Sequence, residues 1–111
     1  MESILNSIKK LLGISENDTA FDVDLIIHIN SVFSILAQLG ATSKENYKIS
    51  SSSDTWSDYI GDFEDLELLK SYMYLRVKII FDPPQSSFVM ESYKKIIDEL
   101  EWRITTIADK N

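Results

Sequence analysis

The sequence predicts an all-α fold: a small bundle of about four helices with a C-terminal antiparallel helical hairpin and a long polar loop at 41–54. Apolar residues recur at three- and four-residue spacings along most of the chain, and cap residues, glycines and a proline pair punctuate the periodic stretches. No alternation of strands and helices suggests a sheet. The 111 residues make a single domain, residues 1–111, and 44% hydrophobic residues supply its core without disulfides.

Ile4, Leu5, Ile8, Leu11 and Leu12 share one face of a short first helix, which Gly13 stops. Thr19, with Asp22 three residues on, resembles a capping box and opens a second helix that ends at Gly40. Its stripe is Leu25, Ile29, Val32, Leu36 and Leu39, widened by Ile26 and Phe33. From Ala41 to Asp54 the rhythm fails around one alternating patch, Tyr47-Lys48-Ile49. Too little apolar surface is available there to offset chain entropy, so residues 41–54 are expected to be mobile or extended in the isolated subunit.

Thr55 to Ile60 reads as one helical turn capped by Thr55 and ended by Gly61. Asp62 then caps the third helix, which runs to Phe81 with Leu66, Leu69, Met73 and Ile80 in one line and Leu68, Tyr72, Leu75 and Ile79 beside it. Asp82-Pro83-Pro84-Gln85 carries a cap residue, a first-turn proline and a glutamine, the signature of a helix start. The fourth helix therefore packs antiparallel to the third. Val89, Tyr93, Ile96, Ile97, Leu100, Ile104 and Ile107 form its buried face, with Glu91–Lys95 and Glu99–Arg103 as ion pairs on the solvent side.

Composition narrows function. Without cysteine there is no thiolate metal site, disulfide or Cys nucleophile. Eighteen acidic against 11 basic side chains, a net charge of -7, argue against gripping nucleic acid. The N-terminus does not read as a signal peptide, and no apolar run reaches the roughly 18 residues of a membrane span, so a soluble protein made in a cytoplasm is expected. His28, the one histidine, follows Asp24 by a turn but has no nucleophile or second ligand and reads as a surface or boundary residue. Asp58, Asp62, Glu64, Asp65 and Glu67 do not fit a calcium-loop template and read as acids gathered at helix N-termini. No catalytic, cofactor or metal site is expected.

The residues that break the helical pattern are more telling. At about 100° per residue, Trp102 falls opposite the Val89 to Ile107 stripe, among Glu91, Lys95, Asp98 and Glu99. Tyr74 and Phe81 lie off the main face of the third helix and Arg76 inside it, while Ile27 and Ile35 sit on the polar side of the second. These six are candidate interface residues, since Trp and Arg are enriched at interface centres.

The run Thr55-Trp56-Ser57-Asp58-Tyr59, the stretch Leu66 to Lys78, the segment Phe81-Asp82-Pro83-Pro84-Gln85-Ser86-Ser87-Phe88-Val89 and the closing Glu99-Leu100-Glu101-Trp102-Arg103 resemble the head-tail connector (adaptor) proteins of tailed bacteriophages and their prophages. Lys10-Leu11-Leu12-Gly13-Ile14, Asp22 to Asn30 and Leu36 to Gly40 agree as well. The resemblance implies a structural, non-enzymatic virion protein at the head-tail interface, made in the host bacterial cytoplasm. Such a protein forms a ring of about twelve copies under the portal protein, extends the DNA channel and gives a platform to the tail or the next connector. DNA would pass through without sequence-specific binding, and neither a cofactor nor a membrane is implied. The reading from another class is a small acidic helical phage regulator that binds a host protein.

Overall fold

The computed structural model describes residues 2–41, 46–60 and 63–109. Five helices form: α1 (Ile4–Leu11), α2 (Asp22–Gln38), α3 (Trp56–Ile60), α4 (Leu66–Phe81) and α5 (Ser87–Asp109). No strand forms among the described residues, and a lone antiparallel bridge joins Ser3 to Thr55. The axis is α4, which packs along both α2 and α5 and also meets α1. The third and fourth long segments thus form the antiparallel hairpin, with α5 returning along α4.

Helix ends follow local chemistry except where a tertiary partner claims the cap. Ser3 Oγ caps α1 by accepting from Asn6 N at 3.2 Å. Gly13, at φ 81°, ends it by a pair of reverse bonds, Ile14 N to Lys9 O at 2.8 Å and Gly13 N to Lys10 O at 3.1 Å. Gly40, at φ 85°, ends α2 in the same way, with Ala41 N donating to Leu36 O and Gly40 N to Ala37 O. Thr19 does not cap α2, which starts at Asp22 after an uncapped Phe21. Asp22 is instead held by Lys9 Nζ at 2.9 Å, and the same ammonium donates to Glu16 O at 3.1 Å. Lys9 is 1% exposed, so this pair ties α1 to the start of α2 inside the protein.

Thr55 and Asp58 form a reciprocal box at α3: Asp58 N donates to Thr55 Oγ1, and Thr55 N to Asp58 Oδ2. Gly61 and Asp62 lie outside the described residues, and the cap of α4 is Asp65, whose carboxylate accepts from Leu68 N at 3.1 Å. Asp82 does not start α5. Its carboxylate takes Lys78 Nζ at 2.8 Å, and its backbone, at φ -146° and ψ 70°, has left the helix ahead of Pro83. The helix begins at Ser87, after Ser86, whose Oγ accepts from Val89 N.

Ile4 and Ile8, Leu25, Ile29 and Leu36, and Leu69, Met73 and Val77 fill the centre, closed from the α5 side by Ile97, Leu100 and Ile104. Ile80 and Ile96, expected in the core, are exposed. Ile80 stays uncovered in the last turn of α4, and Ile96 opens on a groove between α1, α4 and α5. Val77, outside the expected stripes, is fully buried because α4 has neighbours on several sides.

Residues 46–54 do not behave as a free loop. The Asn30 side chain brackets Ile49, donating to its carbonyl at 3.0 Å and accepting from its amide at 2.8 Å. Ile49 is buried, and Tyr47 stacks edge-on to Phe33 with centroids 5.1 Å apart. An amide that mimics a strand neighbour leaves no periodicity to read. Residues 42–45 lie outside the described residues. Below this segment Trp56 donates to Ser7 Oγ at 2.8 Å, while the buried hydroxyls of Tyr47 and Tyr59 have no hydrogen-bond partner.

Two expectations follow for the isolated subunit. Leu100→Ala leaves a cavity between α4 and α5 and costs about 2 to 5 kcal/mol in denaturant unfolding; an unchanged midpoint would contradict this packing. Tyr59→Phe removes a desolvated, unpaired hydroxyl and leaves the melting temperature unchanged or raised, whereas a clear drop would show that the hydroxyl is bonded in solution.

Candidate interaction surface

Four of the acidic residues between 54 and 67, Asp54, Asp58, Asp65 and Glu67, have local structural work. Asp54 Oδ2 accepts from Ser50 N at 2.8 Å and Ser51 N at 3.2 Å, Asp58 and Asp65 cap helices, and Glu67 pairs with Lys70. No group of three or more His, Asp or Glu side chains able to hold a metal ion occurs among the described residues. His28 is half-buried on α2. The candidate site is the surface itself.

Arg76 turns inward. Its Nε donates to Tyr72 Oη at 3.0 Å, and its Nη2 pairs with Glu101 Oε2 on α5. Tyr72 Oη donates to the same oxygen at 2.6 Å, so one carboxylate oxygen fastens α5 to α4. Burial, reinforced by the bond to Glu101, pushes the Tyr72 phenol up to about 12. Burial acts on Glu101 in the opposite sense to its partners, yet the bonds from Tyr72 and Arg76 and the guanidinium charge together hold its carboxyl below the usual value.

The other five candidates separate into two groups. Ile35 and Tyr74 are half-buried against the core, and Phe81 packs edge-on to Phe21 at 5.3 Å. Ile27 and Trp102, by contrast, are 57% and 67% exposed. Sequence reasoning passed over two further exposed residues: Val23, 72% exposed one turn before Ile27, and Phe88, 80% exposed on α5. Extending the α5 wheel back to its first turn would have found Phe88, which lies two heptads before Trp102.

The ion pairs found are Lys9–Asp22, Lys70 with Glu2 and Glu67, Arg76–Glu101 and Lys78–Asp82. Glu91–Lys95 and Glu99–Arg103 do not close among them, as solvation competes well with exposed side chains on a helix surface. Lys95 therefore stands on the outer side of α5 with its charge unpaired.

Glu101 gives a pH dependence of definite sign. Its folded-state value is lowered from 4.5, so its stabilisation is full above 4.5 and is lost as pH falls below that through the lowered value. Melting temperature should therefore drop on acidification in that window, and Glu101→Gln should melt lower at neutral pH with a flatter profile. Identical profiles for the two proteins would contradict the clamp.

A family model described as Phage connector protein matches residues 4–111. No curated protein and no solved structure matches the chain.

Proposed function

Since the chain belongs to the phage connector protein family, a family of structural virion components, we propose that it is the head-tail adaptor that rings the underside of the portal. In this reading copies of the chain close a ring of about twelve, joined by contacts between unlike faces. The ring extends the DNA channel from the portal protein and gives the tail or the next connector its platform. It needs no catalysis and no cofactor. A net charge of -7 suits a channel wall past which DNA slides without sticking. None of the described helices is long and apolar enough to cross a membrane.

The observation that carries this reading beyond the family is Trp102, 67% exposed on the side of α5 turned from α4. An exposed tryptophan on a small domain is typical of a contact centre, where it contributes about 2 kcal/mol or more. Ile27 is the matching exposed residue of α2. Ile35, Tyr74 and Phe81 would act at its margins, and Arg76 by holding α5 in place.

Mass spectrometry of purified virions should find the chain at the copy number of the portal. Trp102→Ala should keep the helicity and melting temperature of the subunit yet fail to attach to portal-bearing heads. Normal attachment by the folded variant would remove Trp102 from the interface, and absence of the chain from virions would overturn the connector role.

A further inference from the structure

Beside α2 lies a short piece of chain held by few bonds. Among the described residues, the hydrogen bonds that tie residues 46–49 to the helices are the two that the Asn30 side chain makes with Ile49, at 3.0 and 2.8 Å. Ring contacts complete the seat. Ile49 is buried, and the Tyr47 ring lies 5.1 Å from both Phe33 and Tyr59, centroid to centroid. This closed arrangement has a cost, because the Tyr47 and Tyr59 hydroxyls are buried in it with no hydrogen-bond partner and give up water without replacement.

The two ends of this piece differ from its middle. At one end Asn46 has φ 63°, a left-handed conformation that asparagine accepts more readily than most residues. At the other, the exposed Ser51, Ser52 and Ser53 turn back on Asp54, whose carboxylate accepts from Ser50 N and Ser51 N. Beyond this turn the chain is fastened. Ile4 N donates to Asp54 O at 3.0 Å, Trp56 N to Glu2 O at 3.2 Å, and the buried Trp56 indole to Ser7 Oγ at 2.8 Å.

We propose that residues 47–49 form a strap that lifts from α2 as a unit, returning both phenol hydroxyls to water, while the helical frame and Trp56 stay in place. Lifting gives up the Asn30 bracket and the burial of Ile49 and the Tyr47 ring. It recovers the hydration of two phenols and of the Ile49 peptide groups, so opening takes much less free energy than unfolding the subunit. The strap is a property of the single chain and does not rest on the connector reading.

Amide hydrogen exchange of the free subunit, followed residue by residue by NMR, tests this. After correction for intrinsic rates, the Ile49 amide should be at least about a hundredfold less protected than the amides of Met73 and Leu100 inside α4 and α5, and at least about tenfold less than that of Trp56. Ile49 protected as well as the two helical amides would mean that the strap opens only with global unfolding, which overturns the proposal. Trp56 exchanging in step with Ile49 would extend the moving unit into α3 and also overturns it. The phenols give an independent readout, because removing a hydroxyl that is dry only in the closed arrangement favours closure. Tyr47→Phe and Tyr59→Phe should each raise Ile49 protection about tenfold. Protection that falls or stays the same in both folded variants would show that closure does not strand the hydroxyls, and overturns the strap.

Discussion

One carboxylate oxygen, Glu101 Oε2, holds the long C-terminal helix in place. It receives both the Tyr72 hydroxyl and the Arg76 guanidinium, so α5 is fixed in register and in rotation on α4. Rotation matters most. With Ile97, Leu100 and Ile104 turned inward, the side bearing Phe88, Lys95 and Trp102 has to face away from the subunit. The contact that completes the fold therefore also displays the surface from which an assembly could be built.

A comparable division holds at the other end. Lys9 spends its charge inside, on Asp22 and the Glu16 carbonyl, and so fixes the short α1 against the first turn of α2. Loss of either partner would leave a charge poorly compensated in a dry place. With Asp22 drawn inward, Val23 and Asp24 are the residues that the start of α2 shows to solvent. Both ends of the subunit thus use an internal ion pair to orient a helix whose opposite face remains unoccupied.

The helices themselves were legible in the sequence, because their apolar periodicity and the stops at Gly13 and Gly40 are local signals. What was not legible is side-chain competition. Asp22 and Asp82 both look like members of caps in the sequence, yet each goes to a lysine, and the helix starts move accordingly. The bracket of Asn30 on Ile49 spans 19 residues and leaves no pattern within the loop. For the candidate surface, the wheel was sufficient to find Trp102 and Ile27, since exposure on a helix is set by its own period. It could not find the partner of Arg76, because Glu101 lies on another helix, nor could it tell that Ile96 opens on a groove.

A connector asks for rigidity more than for reactive groups, and this chain offers an acidic, cysteine-free helical frame. The most direct test of that account is electron cryomicroscopy of the virion neck, resolved well enough to trace helices. The account predicts a closed ring of this chain beneath the portal, with the outer side of α5 covered by a neighbouring protein and the Glu101 clamp intact inside every subunit. A neck without this chain, or a ring in which the outer side of α5 faces open solvent, would contradict it.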